Sequence, residues 1–254
     1  MGGDGKITIV KRSVVSCQGI TIIIPCFNEQ LRIPSTLSDI DSYAKKHPRM
    51  IKEVICVDDG SSDGTAEWVM RYADKLPIKL IRHEKNEGKW AAVGTGLRSA
   101  SGLVLLLDAD GSASVWELET CGIPERKFAV FGTRYGEGAS VSGKSFLRSI
   151  VSWGYRVYVL NVYALAGGAQ DIGDFQAPFK LFHVEDLVGK IETKRFSGDI
   201  ELALRLDAHI INHPLDFHHV RGSTVPIRAV WNMFIETARI AHVFRKRKAA
   251  ETIK

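Results

Sequence analysis

Apolar residues gather in five short continuous runs along the first half of the chain: Ile20–Pro25, Glu53–Asp58, Ile78–Arg82, Leu103–Leu107 and Phe128–Thr133. They are rich in Val, Ile and Leu and lack polar alternation, which predicts strands covered on both faces. Between them, Arg32–Lys46, Thr65–Leu76 and Lys89–Ala100 read as helices. The β-α-β-α rhythm predicts an α/β fold built on a doubly wound, mostly parallel sheet. The second half changes character. Phe146–Ala166 and Val225–Arg245 are helical candidates with aromatic and aliphatic faces and scattered arginines, separated by strand candidates Phe179–His183 and Ile210–Pro214. Gly136–Gly143 (GEGASVSG) reads as a mobile loop over the site. With no repeat or linker, a single domain is expected over 1–254, with a first half at 20–135 and a second at 136–245.

Composition narrows this picture. The 254 residues are 45% hydrophobic and 25% charged, values of a soluble globular chain that exclude disordered, fibrous and multi-span membrane classes. Lys and Arg number 34 against 29 Asp and Glu, a net charge of +5 that suits a phosphate-bearing partner. Cys17, Cys26, Cys56 and Cys121 are far apart, which predicts reduced thiols and neither a disulfide framework nor a zinc site. The start, MGGDGKITIVKRSVVS, has no long apolar core of a signal peptide. The nearest approach to a membrane span, Ile150–Gly168, contains Arg156 and Asn161. Amphipathic helices carrying Arg and aromatic residues suit either a membrane interface or cover for the sheet.

Open parallel sheets bind ligands beyond the carboxyl ends of their strands, and polar clusters stand there: PCFNE, DDGSSDGT, DADGS and GTR. Asp108 and Asp110, two apart after an apolar strand, would point the same way in an extended chain. Two hard anionic oxygens suit Mg²⁺ or Mn²⁺; the alternative is a pair of turn carboxylates. Asp58 and Asp59 suit a ribose hydroxyl or base N–H, while Asp63 suits a helix cap. In NEGKWAAV, Gly88 lets backbone approach a ligand and Lys89 reaches a phosphate, unless it is merely solvated. Arg134 ends a strand, and Arg148 and Ser152 share one helical face at i and i+4; together they suit a phosphate, although Arg148 alone reads as a surface residue. Asp174, Gln176 and Lys180 surround Phe175 and Phe179, and Asp199 is either a helix cap or an acid lining the second half of the site. Adjacent His218 and His219 diverge if extended, so they make no paired metal site.

In order, IPCFNE, VDDGSSDGT, NEGKWAAV, DADGS, GTR, DFQAPFKLF and FSGDIEL resemble the family 2 glycosyltransferases of GT-A fold. Within them the chain most resembles the polyprenyl-phosphate and dolichyl-phosphate hexosyltransferases, over about residues 20–225. That resemblance implies that Pro25, Phe27, Glu29, Asp58 and Asp59 frame the nucleoside, and that Lys89 meets the donor phosphates. It implies a metal on Asp108 and Asp110, with Ala109 between them, and an acceptor phosphate on Arg134, Arg148 and Ser152, with Gln176, Lys180 and Asp199 on the acceptor side. Ala177–Pro178 departs from the family's Cys-Gly, and the family's late basic residue falls near His218 and Arg221. Mannosyl-transferring relatives, which use GDP-mannose, tend to read DADLQ; DADGS with Ser112 is nearer the glucosyl-transferring branch, which uses UDP-glucose. The implied reaction is an inverting single displacement by a lipid phosphate. It needs no obligatory base; Asp110 is the nearest candidate for one. The implied setting is the cytoplasmic face of a membrane, held peripherally by the amphipathic helices, with no nucleic-acid partner. A sugar-hydroxyl acceptor, with Asp199 as base, is the near alternative. A nucleotidyltransferase fits less well, lacking a basic Gly-rich loop after the first strand, and a non-catalytic nucleotide-sugar-binding protein has no need of Asp108, Asp110 and Lys89.

Overall fold

The computed structural model describes residues 19–142, 146–195, 197–218 and 227–252, with backbone alone at 141–142, 146–153, 218, 227–231 and 247–252. The chain runs β1 (Ile20–Cys26), α1 (Ile33–Lys46), β2 (Ile51–Asp58), α2 (Thr65–Met70), β3 (Ile78–Arg82), α3 (Lys89–Ser99), β4 (Leu103–Leu107), α4 (Leu118–Cys121) and β5 (Phe128–Thr133). It continues through β6 (Ser140–Ser142), α5 (Phe146–Leu165), β7 (Phe179–His183), α6 (Gly198–Arg205), β8 (His209–Pro214), β9 (Asp216–His218) and α7 (Ile227–Thr252). Seven strands form one sheet in the order β3-β2-β1-β4-β7-β5-β8. All neighbours are parallel except β7, which runs antiparallel between β4 and β5.

Alternate residues of the buried strands face opposite sides, and each side carries its own core. Ile20, Ile22, Ile24, Leu103, Leu105 and Leu107 pack with Leu37, Ile40 and Tyr43 of α1. Ile23, Ile55, Val57, Val104 and Leu106 pack with Trp90, Val93 and Leu97 of α3 and with residues of α5, α6 and α7. Helix α1 starts with Pro34 in its first turn, where a missing N–H is harmless, and ends on Lys45 and Lys46, which complement its dipole. Tyr155 and Tyr158 of α5 pack on Phe234 of α7, at ring-centroid separations of 5.3 and 4.6 Å.

Three expectations need correction. The helix expected over Thr65–Leu76 stops at Met70, where the chain tightens into i→i−3 bonds from Tyr72 to Val69 and from Ala73 to Met70. The expected loop at Gly136–Gly143 is partly strand, because β6 pairs parallel with β9 and Ser140 N donates to Leu215 O. The Asp108 and Asp110 pair does not extend β4; residues 109–110 form a turn after Leu107. Cys26, Cys56 and Cys121 are free, the first two buried. Among the described residues no helix is long and apolar enough to cross a membrane.

Candidate active site

The carboxyl ends of β1, β2, β4 and β5 open on one side of the sheet. Asp58 closes β2 wholly buried, its carboxylate accepting from Ser61 N at 2.9 Å and Arg82 Nε at 2.9 Å. Asp59 points the other way. It accepts from Glu87 N at 2.9 Å, Gly88 N at 2.7 Å and the His83 ring at 2.7 Å. Asp59 therefore shapes the 86–88 loop, and Asp58 and Asp59 alike are buried with both carboxylate oxygens bonded to the protein. The first turn of α3 that follows is gripped from behind: Ala91 N donates to Lys194 O at 2.9 Å. Gly88 has φ +114°, and a β-carbon there would lie 2.4 Å from Lys194 O, so only glycine fits.

This double grip aims Lys89 at Asp108, with Nζ 2.7 Å from Oδ1 and 2.9 Å from Oδ2. Burial works to lower the Lys89 pKa, but Asp108, then Asp199, and Asp110 more than offset it, and the net shift is upward. Lys89 is thus within electrostatic reach of three carboxylates drawn from two segments distant in sequence, Asp108 and Asp110 on one and Asp199 on the other. The turn carrying Asp108, Ala109 and Asp110 is fixed from two sides. Buried Thr36 of α1 donates to Ala109 O at 2.8 Å, and Ser112 N donates to Asp110 Oδ1 at 3.0 Å. Glu29 is held by Thr65, whose Oγ1 accepts from Glu29 N at 2.8 Å, and it pairs with Arg32 at 2.6 Å. Burial raises the Glu29 pKa, Arg32 opposes the rise, and Asp110 and Asp108 add to it. Phe27 is exposed at the end of β1. Pro25, Lys89, Trp90, Asp108, Lys180 and Asp199 line a narrow cleft.

The second half of the site is made of buried pairs. Arg134 forks onto Asp174, with Nε–Oδ2 at 2.6 Å and Nη2–Oδ1 at 3.0 Å, and Gln176 N donates to the same carboxylate at 3.1 Å. Burial would depress the Arg134 pKa; Asp174 raises it beyond the ordinary value, and Asp108 also contributes. Lys180 sits in the middle of β7, paired with both β4 and β5. Its Nζ is 2.6 Å from Asp199 Oδ1 and 2.6 Å from Ala177 O. Asp199 also accepts from Trp90 Nε1 at 3.3 Å. Asp199 stands in the first turn of α6, makes no capping bond there and lines the cleft. Lys180 was expected to meet the acceptor; its ammonium instead completes a buried ion pair. The side chains of Arg148, Ser152 and His218, and the whole of His219 and Arg221, lie outside the described residues.

Arg82, His83, Thr36 and Trp90 complete the site without having been singled out. Arg82 ends β3 and His83 follows it, so the strand-end rule that found Asp58 applies to them equally. Thr36 gives no signal, being a threonine in an ordinary helical turn. Among the described residues, no group of three or more His, Cys, Asp and Glu surrounds a metal position. The available donor set is Asp108 and Asp110: two hard carboxylates, no soft ligand, and Glu29 nearby but tied to Arg32. That set fits Mg²⁺ or Mn²⁺, ions that keep several positions for water or phosphate oxygens.

The seven-stranded sheet and its layers are those of the GT-A fold. Residues 21–121 match the model of Glycosyl transferase family 2. The chain is 32% identical over 245 residues to dolichyl-phosphate beta-glucosyltransferase ALG5C of Trichomonas vaginalis, covering 89% of this chain and 71% of that protein. It is 30% identical to the dolichyl-phosphate beta-glucosyltransferase of Dictyostelium discoideum, covering 80% of this chain and 68% of that one. Glucosyl-3-phosphoglycerate synthase from Mycobacterium tuberculosis, crystallised with Mn²⁺, uridine diphosphate and glucosyl-3-phosphoglycerate, superposes with a TM-score of 0.65 at 16% identity. That superposition covers 90% of this chain and 80% of the other, a likeness of fold. The chain belongs to glycosyltransferase family 2.

Proposed function

We propose that this glycosyltransferase moves glucose from UDP-glucose to a polyprenyl or dolichyl phosphate by an inverting single displacement. The observation that carries the reading is the convergence of charge on one cleft: Lys89 among Asp108, Asp199 and Asp110, with Arg134 in reach of Asp108. The names of the relatives support both sugar and acceptor, and Ser112 after the Asp108–Asp110 turn favours UDP-glucose over GDP-mannose. A phosphate monoester has a second pKa of about 6, so near neutrality its oxygen is a nucleophile without a general base. The protein's work is then to orient it and to stabilise a departing nucleoside diphosphate. Arg134 presents N–H groups to the acceptor, and Asp174 holds the guanidinium plane. Lys89 supplies positive charge at the donor phosphates. Pro25, Phe27, Glu29 and Asp58 frame the nucleoside. Arg148, Ser152 and Gln176 extend the acceptor side.

Asp108 and Asp110 would hold Mg²⁺ or Mn²⁺, which supplies Lewis-acid stabilisation of diphosphate charge. The protein works at the cytoplasmic surface of a membrane. Exposed Val157 and Leu165 on α5, and Ile235 and Val243 on α7, support contact with lipid. A sugar-hydroxyl acceptor would need Asp199 as a free base, and its ion pair with Lys180 opposes that role.

The test supplies purified protein and Mn²⁺ with UDP- and GDP-sugars and either farnesyl phosphate or farnesol. Glucose transferred from UDP-glucose to the phosphate alone is expected. Transfer to the alcohol or to free sugar, or to neither, would overturn the reading; preference for GDP-mannose would overturn its donor.

A further inference from the structure

We infer that Arg156 is a further binding residue for the acceptor phosphate, supplying the uncompensated positive charge that selects a phosphate monoester over a neutral alcohol. The inference rests on the acceptor proposed above and names a residue that the motifs passed over as a mere interruption of an apolar run.

Residues 148, 152 and 156 follow at intervals of four within α5, so they lie on one stripe of the helix. Arg156 is the member of that stripe whose side chain is described, and two contacts fix its direction. Its Nε donates to Gly173 O at 2.7 Å, and its guanidinium carbon lies 4.8 Å from the centroid of the Tyr135 ring. Gly173 precedes Asp174, and Tyr135 follows Arg134. Arg156 is therefore tied at both contacts to the two short segments that carry the Arg134–Asp174 pair. Burial raises the Tyr135 pKa, Asp174 adds to the rise, and Arg134 and Arg156 together oppose it, so both cations act at one place.

The charges differ in an informative way. Arg134 is matched by Asp174 at 2.6 Å, so the pair offers N–H groups but no net charge. No ion pair joins Arg156 to an acid among the described residues, and its Nη1 and Nη2 groups have no protein partner there. A guanidinium has five N–H donors, and one is spent on Gly173, which leaves four in a plane already fixed by stacking. A phosphate dianion matches such a pre-oriented fork with two parallel charge-assisted bonds. A purely structural donor to a backbone carbonyl would need no charge at all. The geometry thus divides the labour: Arg134 orients the phosphate, and Arg156 balances it.

The experiment measures binding of farnesyl phosphate and of UDP by isothermal titration to wild type, Arg156→Gln and Arg156→Lys, with melting curves and steady-state kinetics in parallel. Arg156→Gln is expected to weaken farnesyl phosphate binding roughly tenfold or more. It should raise the acceptor KM by a similar factor and leave UDP affinity and donor KM within about twofold. Arg156→Lys, which loses the planar fork but keeps the charge, recovers part of the loss. Unchanged acceptor binding in Arg156→Gln overturns the inference, as does an equal loss in both variants accompanied by a lower melting temperature. Wild type that binds farnesyl phosphate through Arg156 but transfers no sugar to it leaves this inference standing and overturns the proposed function. Wild type that fails to bind it overturns both.

Discussion

The side of the cleft proposed for the donor and the side proposed for the acceptor hold their charges by different means. On the donor side, short loops at the ends of parallel strands do the work, and neighbouring loops lock one another: Asp59 holds residues 87 and 88, Thr36 holds Ala109, and Lys89 is left to meet Asp108. Asp59 and Thr36 are buried, and the Lys89–Asp108 pair that they position remains partly exposed at the rim. On the acceptor side, Arg134–Asp174 and Lys180–Asp199 are buried pairs set between strands and helices. Their partners come from distant segments, and their first task is to satisfy one another. The contrast teaches that a charge in the cleft is not always there for the substrate. The donor side holds the partly exposed Lys89–Asp108 pair at its rim, while the acceptor side uses its buried Lys180–Asp199 pair to hold β7 and α6 in place.

Substitutions separate the two sides. The largest effect is expected from Asp110→Ala. It removes one of the two carboxylates proposed to hold the metal while losing only the bond from Ser112 N, so transfer should fall by about a thousandfold with little change in melting temperature. Metal-dependent transfer at the wild-type rate would break the assignment of the donor side. Next, Asp199→Ala leaves Lys180 buried without its partner and should destabilise the fold by about 3 kcal/mol, read as a clear drop in melting temperature. A collapse of kcat with an unchanged melting temperature would instead make Asp199 a base and erase the contrast. Gly88→Ala forces a β-carbon against Lys194 O at φ +114° and should cost about 1–3 kcal/mol. Because it also shifts Lys89, it should raise the donor KM more than the acceptor KM. The smallest effect concerns pH. The acceptor's second ionisation puts a rising limb near about pH 6. The upward shift of Lys89 keeps it charged well past neutrality. Its raised folded pKa means that its contribution to stability is complete below the unfolded value of about 10.4 and fades only as pH climbs through the folded one. A plateau in acceptor kcat/KM from neutral pH to mild alkalinity is therefore expected, and a descending limb near neutrality would speak against Lys89 as the donor-side cation.

The same contrast explains what could be read from the sequence. Strands β3, β4, β5 and β7 fall where the apolar runs predict, and parallel topology brings Asp58, Lys89 and Asp108 to one edge of the sheet. What the pattern does not show is where Asp58 and Asp59 turn: consecutive residues at a strand end point to opposite sides, and Asp58 meets Ser61 and Arg82 while Asp59 meets His83 and the 86–88 loop. The Lys180–Asp199 pair was hidden because it depends on β7 inserting antiparallel between β4 and β5, a long-range event that no local pattern encodes. Arg156 was passed over because a helix reveals its stripes in sequence but not which stripe meets Gly173 and Tyr135.

The most direct test of the central claim is the anomeric configuration of the product. Protein, Mn²⁺, UDP-glucose and farnesyl phosphate are combined, and the sugar–phosphate linkage is read by proton NMR. UDP-glucose carries an α linkage, so direct attack by the lipid phosphate predicts a β-glucosyl phosphate. A retained α linkage would contradict the account.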